Sequence, residues 1–191
     1  MSRPKRVLFY RDFQTFSGGH QKVADYFTHL QSSNSFQPSI SFSGSTIWDQ
    51  SNPWLGCDRT EYRPAEYDFV FLAGMDWQKY LSVERPSNQP IVNLVQHVRH
   101  ADPTENVYPF LSQRAVRICV SQQVADAIEA TNQVNGPIYT IPNGVDLPII
   151  EIAKSYDVVI LGIKQPSLAT ELEAHLLSEG LRVLLVNQQV S

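Results

Sequence analysis

Four short polar segments contain the residues that could bind or transform a ligand. The first is Ser17-Gly-Gly-His20, which follows the apolar run 7–10 and opens a helical pattern. Glycines before a helix let backbone N–H groups approach a phosphate or a sugar closely, and the helix dipole favours an anion there. The pattern predicts a ligand site at Gly18 and Gly19. The alternative is that the two glycines only form the turn.

The other three segments follow later apolar runs. Their candidate residues are His97, Arg99, His100, Ser121, Asn143 and Gly144. If the apolar runs are parallel strands, ligands bind beyond the carboxyl ends of those strands. We therefore expect all four segments at the same edge of one sheet.

Several kinds of site do not fit the sequence. No Gly-x-Gly-x-x-Gly follows the first apolar run, and there is no Gly-Lys-Ser/Thr phosphate loop, which argues against dehydrogenases and nucleotide hydrolases. His97, His100 and Asp102 have no standard ligand spacing, so we predict no metal. The two cysteines, Cys57 and Cys119, form no disulfide framework.

Charge and hydropathy narrow the class further. The net charge of −4 and the pI of about 5.7 argue against a nucleic-acid partner. No apolar run approaches the length of a membrane span, so a cytoplasmic protein is expected. Arg3, Lys5, Arg6 and Arg11 cluster around the first apolar run. They form either a solvated flank or a patch for peripheral contact with anionic lipid.

The elements that must position these residues alternate between strands and helices. Strands are predicted at 7–10, 38–42, 68–73, 90–95, 116–120 and 138–141. Helices are predicted at 20–31, at 104–113 and after Ser121, which is a suitable N-cap. This order predicts an α/β domain with a doubly wound, Rossmann-like parallel sheet over residues 1–146.

Segment 43–67 between the second and third strands is long, polar and rich in Pro, Gly and Ser. Loops of this length are either functional or disordered. Trp48, Trp54 and Tyr62 give it apolar anchors, which could stack on a sugar ring or close the loop over the domain.

Residues 147–156 are predicted to be a linker, and 157–191 a single βαβ unit with strands at 157–162 and 181–186 and a helix at 167–178. One such unit cannot bury both faces of its strands. It is expected to dock elsewhere, to pair with another chain, or to belong to a domain that is incomplete here.

The segment 17–23, the strand-end His97, Cys119-Val-Ser121 and Ile141-Pro-Asn-Gly-Val-Asp146 together resemble a known family. They are similar to the N-terminal, acceptor-side domain of retaining glycosyltransferases with the GT-B fold, the glycosyl transferases group 1. The resemblance covers residues 5–146, and 157–186 looks like the first βαβ unit of the partner domain.

The resemblance implies transfer of a hexose from a nucleotide diphosphate sugar to a glycan or lipid-linked acceptor, with no other cofactor. It implies that His97 is catalytic and reaches the transferred sugar. Residues implied to bind the donor diphosphate are Gly18, Gly19, His20 and Lys164. Residues implied to line the acceptor side or the cleft are Arg99, His100, Ser121, Asn143, Gly144, Trp48 and Trp54.

The sequence also departs from the family. Gln21 stands where many relatives have Glu, and Ile163-Lys-Gln-Pro166 replaces a basic residue followed by Lys-Gly. The paired-glutamate motif has no counterpart before Ser191. We therefore expect this chain to be inactive or nearly so by itself. The alternatives are a non-catalytic binding domain or a subunit of a split glycosyltransferase that needs a partner chain, and a nucleotide-sugar epimerase or dehydrogenase.

Overall fold

The computed structural model describes residues 3–144 and 154–187. The chain divides into two compact units, Met1–Gly144 and Val145–Ser191. Most of the predicted linker, residues 147–153, lies outside the described residues.

The first unit is built on a six-stranded parallel sheet flanked by helices. The strands, in spatial order, are β2 (Phe36–Phe42), β1 (Lys5–Arg11), β3 (Phe69–Ala73), β4 (Ile91–Val95), β5 (Val116–Cys119) and β6 (Ile138–Thr140). The predicted Rossmann-like α/β sheet is thereby confirmed. The crossover helices are α1 (Gly18–Gln31), α2 (Asp76–Leu81) and α3 (Gln122–Glu129).

Both faces of the sheet are covered, because side chains of each strand alternate between two apolar layers. Val7 and Phe9 of β1 pack with Phe27 of α1 on one face. Leu8 packs with Trp77 of α2 on the other. Further along the sheet, α3 packs with β4 and β5 in a third cluster that contains the buried Cys119.

The helices differ from the predicted ones at two places. Sequence periodicity did not indicate α2, which is only six residues long and contributes the buried Trp77 and Tyr80. The helix predicted at 104–113 is wrong: the structure has turns followed by a 3-10 helix at Tyr108–Ser112. Prolines at 103 and 109 lack the N–H groups that a continuous α-helix through this segment would use.

Segment 43–67 is ordered and closes over the edge of the sheet. Thr60 N–H donates to the carbonyl of Ile40 in the edge strand β2, at 2.9 Å. Trp54 is only 1% exposed and packs on Phe13 and Phe42. The segment therefore protects strand β2, whose backbone would otherwise offer a pairing edge to other chains.

The second unit contains β7 (Val158–Leu161), α4 (Pro166–Ser178) and β8 (Val183–Val186), with the two strands parallel. Asp157 and Arg182 form a two-point ion pair beside the strands. Large apolar side chains remain exposed on this unit, among them Val159, Leu161, Ile163, Leu168, Leu172 and Leu177. These side chains are apolar surface that the described part of this unit does not bury by itself.

Among the described residues, no helix is both long and apolar enough to span a bilayer. Arg3 and Lys5, at the start of β1, both lie within ion-pair distance of Asp68. Arg11 is buried and cannot contribute to a basic surface patch.

Candidate functional site

The carboxyl edge of the sheet contains the switch point of its topology. The chain leaves β1 through α1 toward β2 on one side, and leaves β3 through α2 toward β4 on the other. In open parallel sheets, ligands bind in the crevice beside such a reversal. The loops after β1, β3 and β4 are therefore the candidate positions for a ligand.

The N-terminus of α1 lies directly after β1. Ser17 is its N-cap, and the Ser17 hydroxyl accepts from the His20 N–H at 3.3 Å. The Gly18 and Gly19 N–H groups have no hydrogen-bond partner among the described residues. They are the first two residues of the helix, so their N–H groups are available to an anion.

The two glycines are not required by the backbone conformation. Neither is among the glycines with positive φ, which in the described residues are Gly56, Gly74, Gly136 and Gly180. A Cβ on Gly18 would meet nothing within 4 Å. A tight glycine turn is therefore not the reason for this pair.

The end of β4 is joined to this helix terminus. The Gln96 side chain donates to the Gly19 carbonyl at 3.2 Å. The next residue, His97, is exposed, and its Nδ1 accepts from the Arg99 N–H at 3.0 Å. This bond makes Nδ1 the acceptor, which places the proton of a neutral ring on Nε2.

Of the other two residues in this segment, one is accessible and one is not. Arg99 is exposed. His100 is only 7% exposed, and burial lowers its pKa to about 4. In this structure His100 is a neutral, buried side chain below the surface, which does not favour the prediction that it lines a ligand cleft.

The predicted residues near β5 and β6 mainly perform structural tasks. The Ser121 hydroxyl accepts from the Val124 N–H and caps α3. Asn143 N–H donates to the Val120 carbonyl at 3.3 Å. Asn143 itself is exposed. Gly144 is also exposed.

The two predicted sugar-stacking tryptophans differ. Trp54 is buried, which favours the alternative that it closes the loop over the domain instead of the predicted acceptor contact. Trp48 is partly exposed, but the Arg59 guanidinium lies 3.7 Å from its ring centroid. Trp48 thus already carries a cation on one face.

Lys164 belongs to the second unit, where it lies exposed in the bend between β7 and α4.

The sequence analysis missed two residues at the switch point, Arg11 and Asp76. Arg11 is the last residue of β1 and Asp76 the first of α2; both are buried, and Arg11 Nη1 donates to Asp76 Oδ2 at 2.7 Å. Asp76 also accepts from the Ala73 N–H at 2.9 Å. The sequence shows that the charged Arg11 ends an apolar run, but it gives no indication that the distant Asp76 is its partner.

His20 completes this cluster. Arg11 Nη2 lies 2.8 Å from His20 Nδ1. Burial, and then the Arg11 charge, lower the pKa of His20 to about 4. Burial raises the pKa of Asp76 to about 6, although Arg11 and the Ala73 N–H oppose the shift. At neutral pH the cluster thus consists of an ion pair and a neutral histidine.

Within residues 3–144 and 154–187, no group of three or more His, Cys, Asp or Glu side chains could hold a metal ion.

Comparisons with protein-family models, with curated proteins and with solved structures found no match.

Proposed function

We propose that this chain is the acceptor-side part of a glycosyltransferase that uses a nucleotide diphosphate sugar, with a GT-B arrangement and retention of configuration as the resemblance implies. The observation that carries the proposal is the hydrogen bond from Gln96 to the Gly19 carbonyl. It joins the open N-terminus of α1 to the strand end that bears His97. Groups suited to a diphosphate and to a sugar therefore belong to one connected edge.

The chemistry of the edge suits a departing diphosphate. Cleavage of a glycosyl–phosphate bond develops negative charge on the phosphate oxygens, which fixed donors can stabilise. The N–H groups of Gly18 and Gly19 supply such donors, and the positive end of the α1 dipole adds to them. His97 would offer its Nε2–H to a sugar hydroxyl, and Arg99 adds an exposed positive charge nearby in sequence.

Donor binding tests the proposal more directly than turnover. The sequence has no paired-glutamate motif, so little or no turnover is expected from this chain by itself. We expect the purified chain to bind at least one of UDP-glucose, UDP-N-acetylglucosamine and GDP-mannose in a calorimetric titration. Gly18→Pro should weaken binding about tenfold, because proline at the first helical position removes one N–H and is otherwise well tolerated. Ser17 already has the extended conformation that a following proline requires.

Gly18→Ala is the matched control, since it keeps the N–H and its Cβ meets nothing within 4 Å. It should bind within about twofold of the unmodified chain. His97→Ala should weaken binding of the sugar nucleotide but not of the nucleotide diphosphate alone, and it should leave the fold intact because His97 is exposed. Equal binding by the Gly18→Pro and Gly18→Ala variants would remove the helix terminus from the site.

A second candidate function is a non-catalytic binding or assembly protein. The observation that favours it is the set of exposed apolar side chains in the second unit, where Leu161 is 75% exposed. Apolar surface of this kind commonly marks an interaction site. Absence of binding to all three sugar nucleotides, together with a stable assembly in light scattering, would favour this function over the transferase.

A further inference from the structure

The cluster at the switch point contains two residues with no role in the proposed function so far. Arg11 and Asp76 come from different elements, are 65 residues apart in sequence, and form a buried ion pair beside the first turn of α1. Burying such a pair is costly unless its geometry is good and further hydrogen bonds satisfy it. The further bonds of the pair go to the Ala73 backbone and, from Arg11 Nη2, to the His20 ring.

The direction of the bond between Arg11 and His20 is fixed by chemistry. A guanidinium has only N–H donors and keeps its charge, so at 2.8 Å Arg11 Nη2 must donate and His20 Nδ1 must accept. A ring whose Nδ1 accepts is neutral and has its proton on Nε2. The tautomer of His20 is therefore set by Arg11, and the orientation of Arg11 by Asp76.

The other nitrogen of His20 is open. Nε2 makes no hydrogen bond within the described residues, and it is not among the buried polar atoms that lack a partner. It therefore reaches solvent. His20 is the third residue of α1, next to the free N–H groups of Gly18 and Gly19.

We propose that Asp76 and Arg11 are positioning residues that lock His20 as a neutral Nε2–H donor at the N-terminus of α1. In this state His20 offers a directed hydrogen bond and cannot become a diffuse positive charge. The use of this donor for a phosphate oxygen rests on the proposed function, whereas the lock is a property of the chain alone.

The surroundings of His20 favour the lock as the pH falls. The charged groups that face it are Arg11 from β1 and Asp12 from the following loop, while Phe13 and Trp54 contribute ring contacts. Asp12 is exposed, and its attraction for a proton is the smallest of the three influences on His20. Because the Arg11 guanidinium lies 2.8 Å from the ring, a second proton on His20 is disfavoured, which keeps the ring neutral as the pH falls.

Nitrogen NMR of the intact chain tests the lock without any ligand. The chain has five histidines, so a His20→Gln variant assigns the signal. Two-bond nitrogen–proton correlations should show His20 as the Nε2–H tautomer, neutral from pH 7 down to about 5, consistent with a pKa of about 4. His29, an exposed histidine on the same helix, provides a second imidazole signal for comparison of the nitrogen shifts.

Removing the lock should free the ring. Arg11→Met combined with Asp76→Asn avoids an unpaired buried carboxylate and keeps an acceptor for the Ala73 N–H. In this variant the pKa of His20 should rise part of the way toward 6.5, because the Arg11 charge is lost while burial, the larger cause of the lowered pKa, remains; both tautomers should then be populated. In the wild-type chain, His20 should give UDP-glucose binding no dependence on pH between 7 and 5.5. In the double variant, binding should strengthen as the pH falls over this range, because a charged imidazole attracts phosphate.

A wild-type His20 that titrates near pH 6.5, or that has its proton on Nδ1, would overturn the lock whether or not the double variant folds. A locked His20 in a chain that binds none of the three sugar nucleotides would support the lock and would count against the proposed function alone.

Discussion

Arg117 is a buried cation whose terminal nitrogens bind carbonyl groups instead of a carboxylate. Its side chain is 0% exposed, and burial lowers its pKa to about 10. Its two terminal nitrogens donate to five backbone carbonyls, those of Phe110, Leu111, Gln113, Ala115 and Asn135. One side chain thus ties the 3-10 segment, strand β5 and the turn before β6 together.

We expect Arg117→Met to lower the free energy of unfolding by about 2–4 kcal/mol, because it leaves several buried carbonyls without donors. Arg117→Lys should recover only part of this loss, since an ammonium cannot reproduce the planar fork. Urea unfolding followed by circular dichroism measures both. Arg114→Met is the control, because Arg114 is exposed in the same segment. An equal effect at the two positions would contradict the view that the hydrogen bonds from Arg117 to the five carbonyls stabilise the fold.

The two histidines after β4 show how neighbouring residues of one type can have different tasks. His97 is exposed and has a free Nε2, whereas His100, three residues later, is buried. Val98–Ala101 is a 3-10 helix that begins after His97. The placement of His100 beneath this turn, against α3, removes it from the ligand side.

At the level of elements, the turn before β6 is tightly constrained. Asn132 has a positive φ of 53°, and Gly136 has a φ of 121°. A Cβ on Gly136 would lie 2.2 Å from the Ala115 carbonyl oxygen. The turn can therefore pass this close to β5 only with glycine at position 136.

Gly136→Ala should destabilise the first unit by about 2 kcal/mol or more, since it combines a disfavoured φ with a backbone clash. Thermal unfolding monitored by calorimetry is a suitable measurement. Gly44→Ala is the matched control: Gly44 lies in a loop, has no positive φ, and its added Cβ would meet nothing within 4 Å. If both variants unfold at the same temperature, the close approach at Gly136 is not a real constraint.

At the scale of the whole molecule, the core of the first unit is complete within that unit. The three apolar clusters draw their buried residues from strands β1 to β5, helices α1 to α3 and the loops between them. The described part of the second unit contributes two buried apolar residues of its own, Ile160 and Ala169. The stability of the two units should therefore differ greatly.

A chain that ends at Gly144 is expected to retain cooperative unfolding, with a free energy within about 1 kcal/mol of that for the first unit's transition in the full chain. Circular dichroism and calorimetry of the shortened protein check this. A chain that ends at Asn132, and so lacks β6 and the Gly136 turn, should lose cooperativity. Loss of cooperativity in the longer fragment as well would show that the first unit needs residues beyond Gly144.

Local patterns in the sequence determined the strand positions, the parallel sheet, and the two helices capped by Ser17 and Ser121. These features depend on apolar runs and on residues three or four positions apart, which a single sequence displays directly. The same patterns predicted that the candidate loops follow strand ends, and so that they share one edge.

Only the tertiary structure decided which of those residues can meet a ligand. The burial of Trp54 and His100, the Gln96 bond to Gly19, and the Arg11 pair with Asp76 all depend on contacts between segments distant in sequence. Apolar pattern fixes which residues lie in strands, but strand order decides which strand ends are neighbours. A charged residue at the end of an apolar run can therefore be found from the sequence, while its partner cannot.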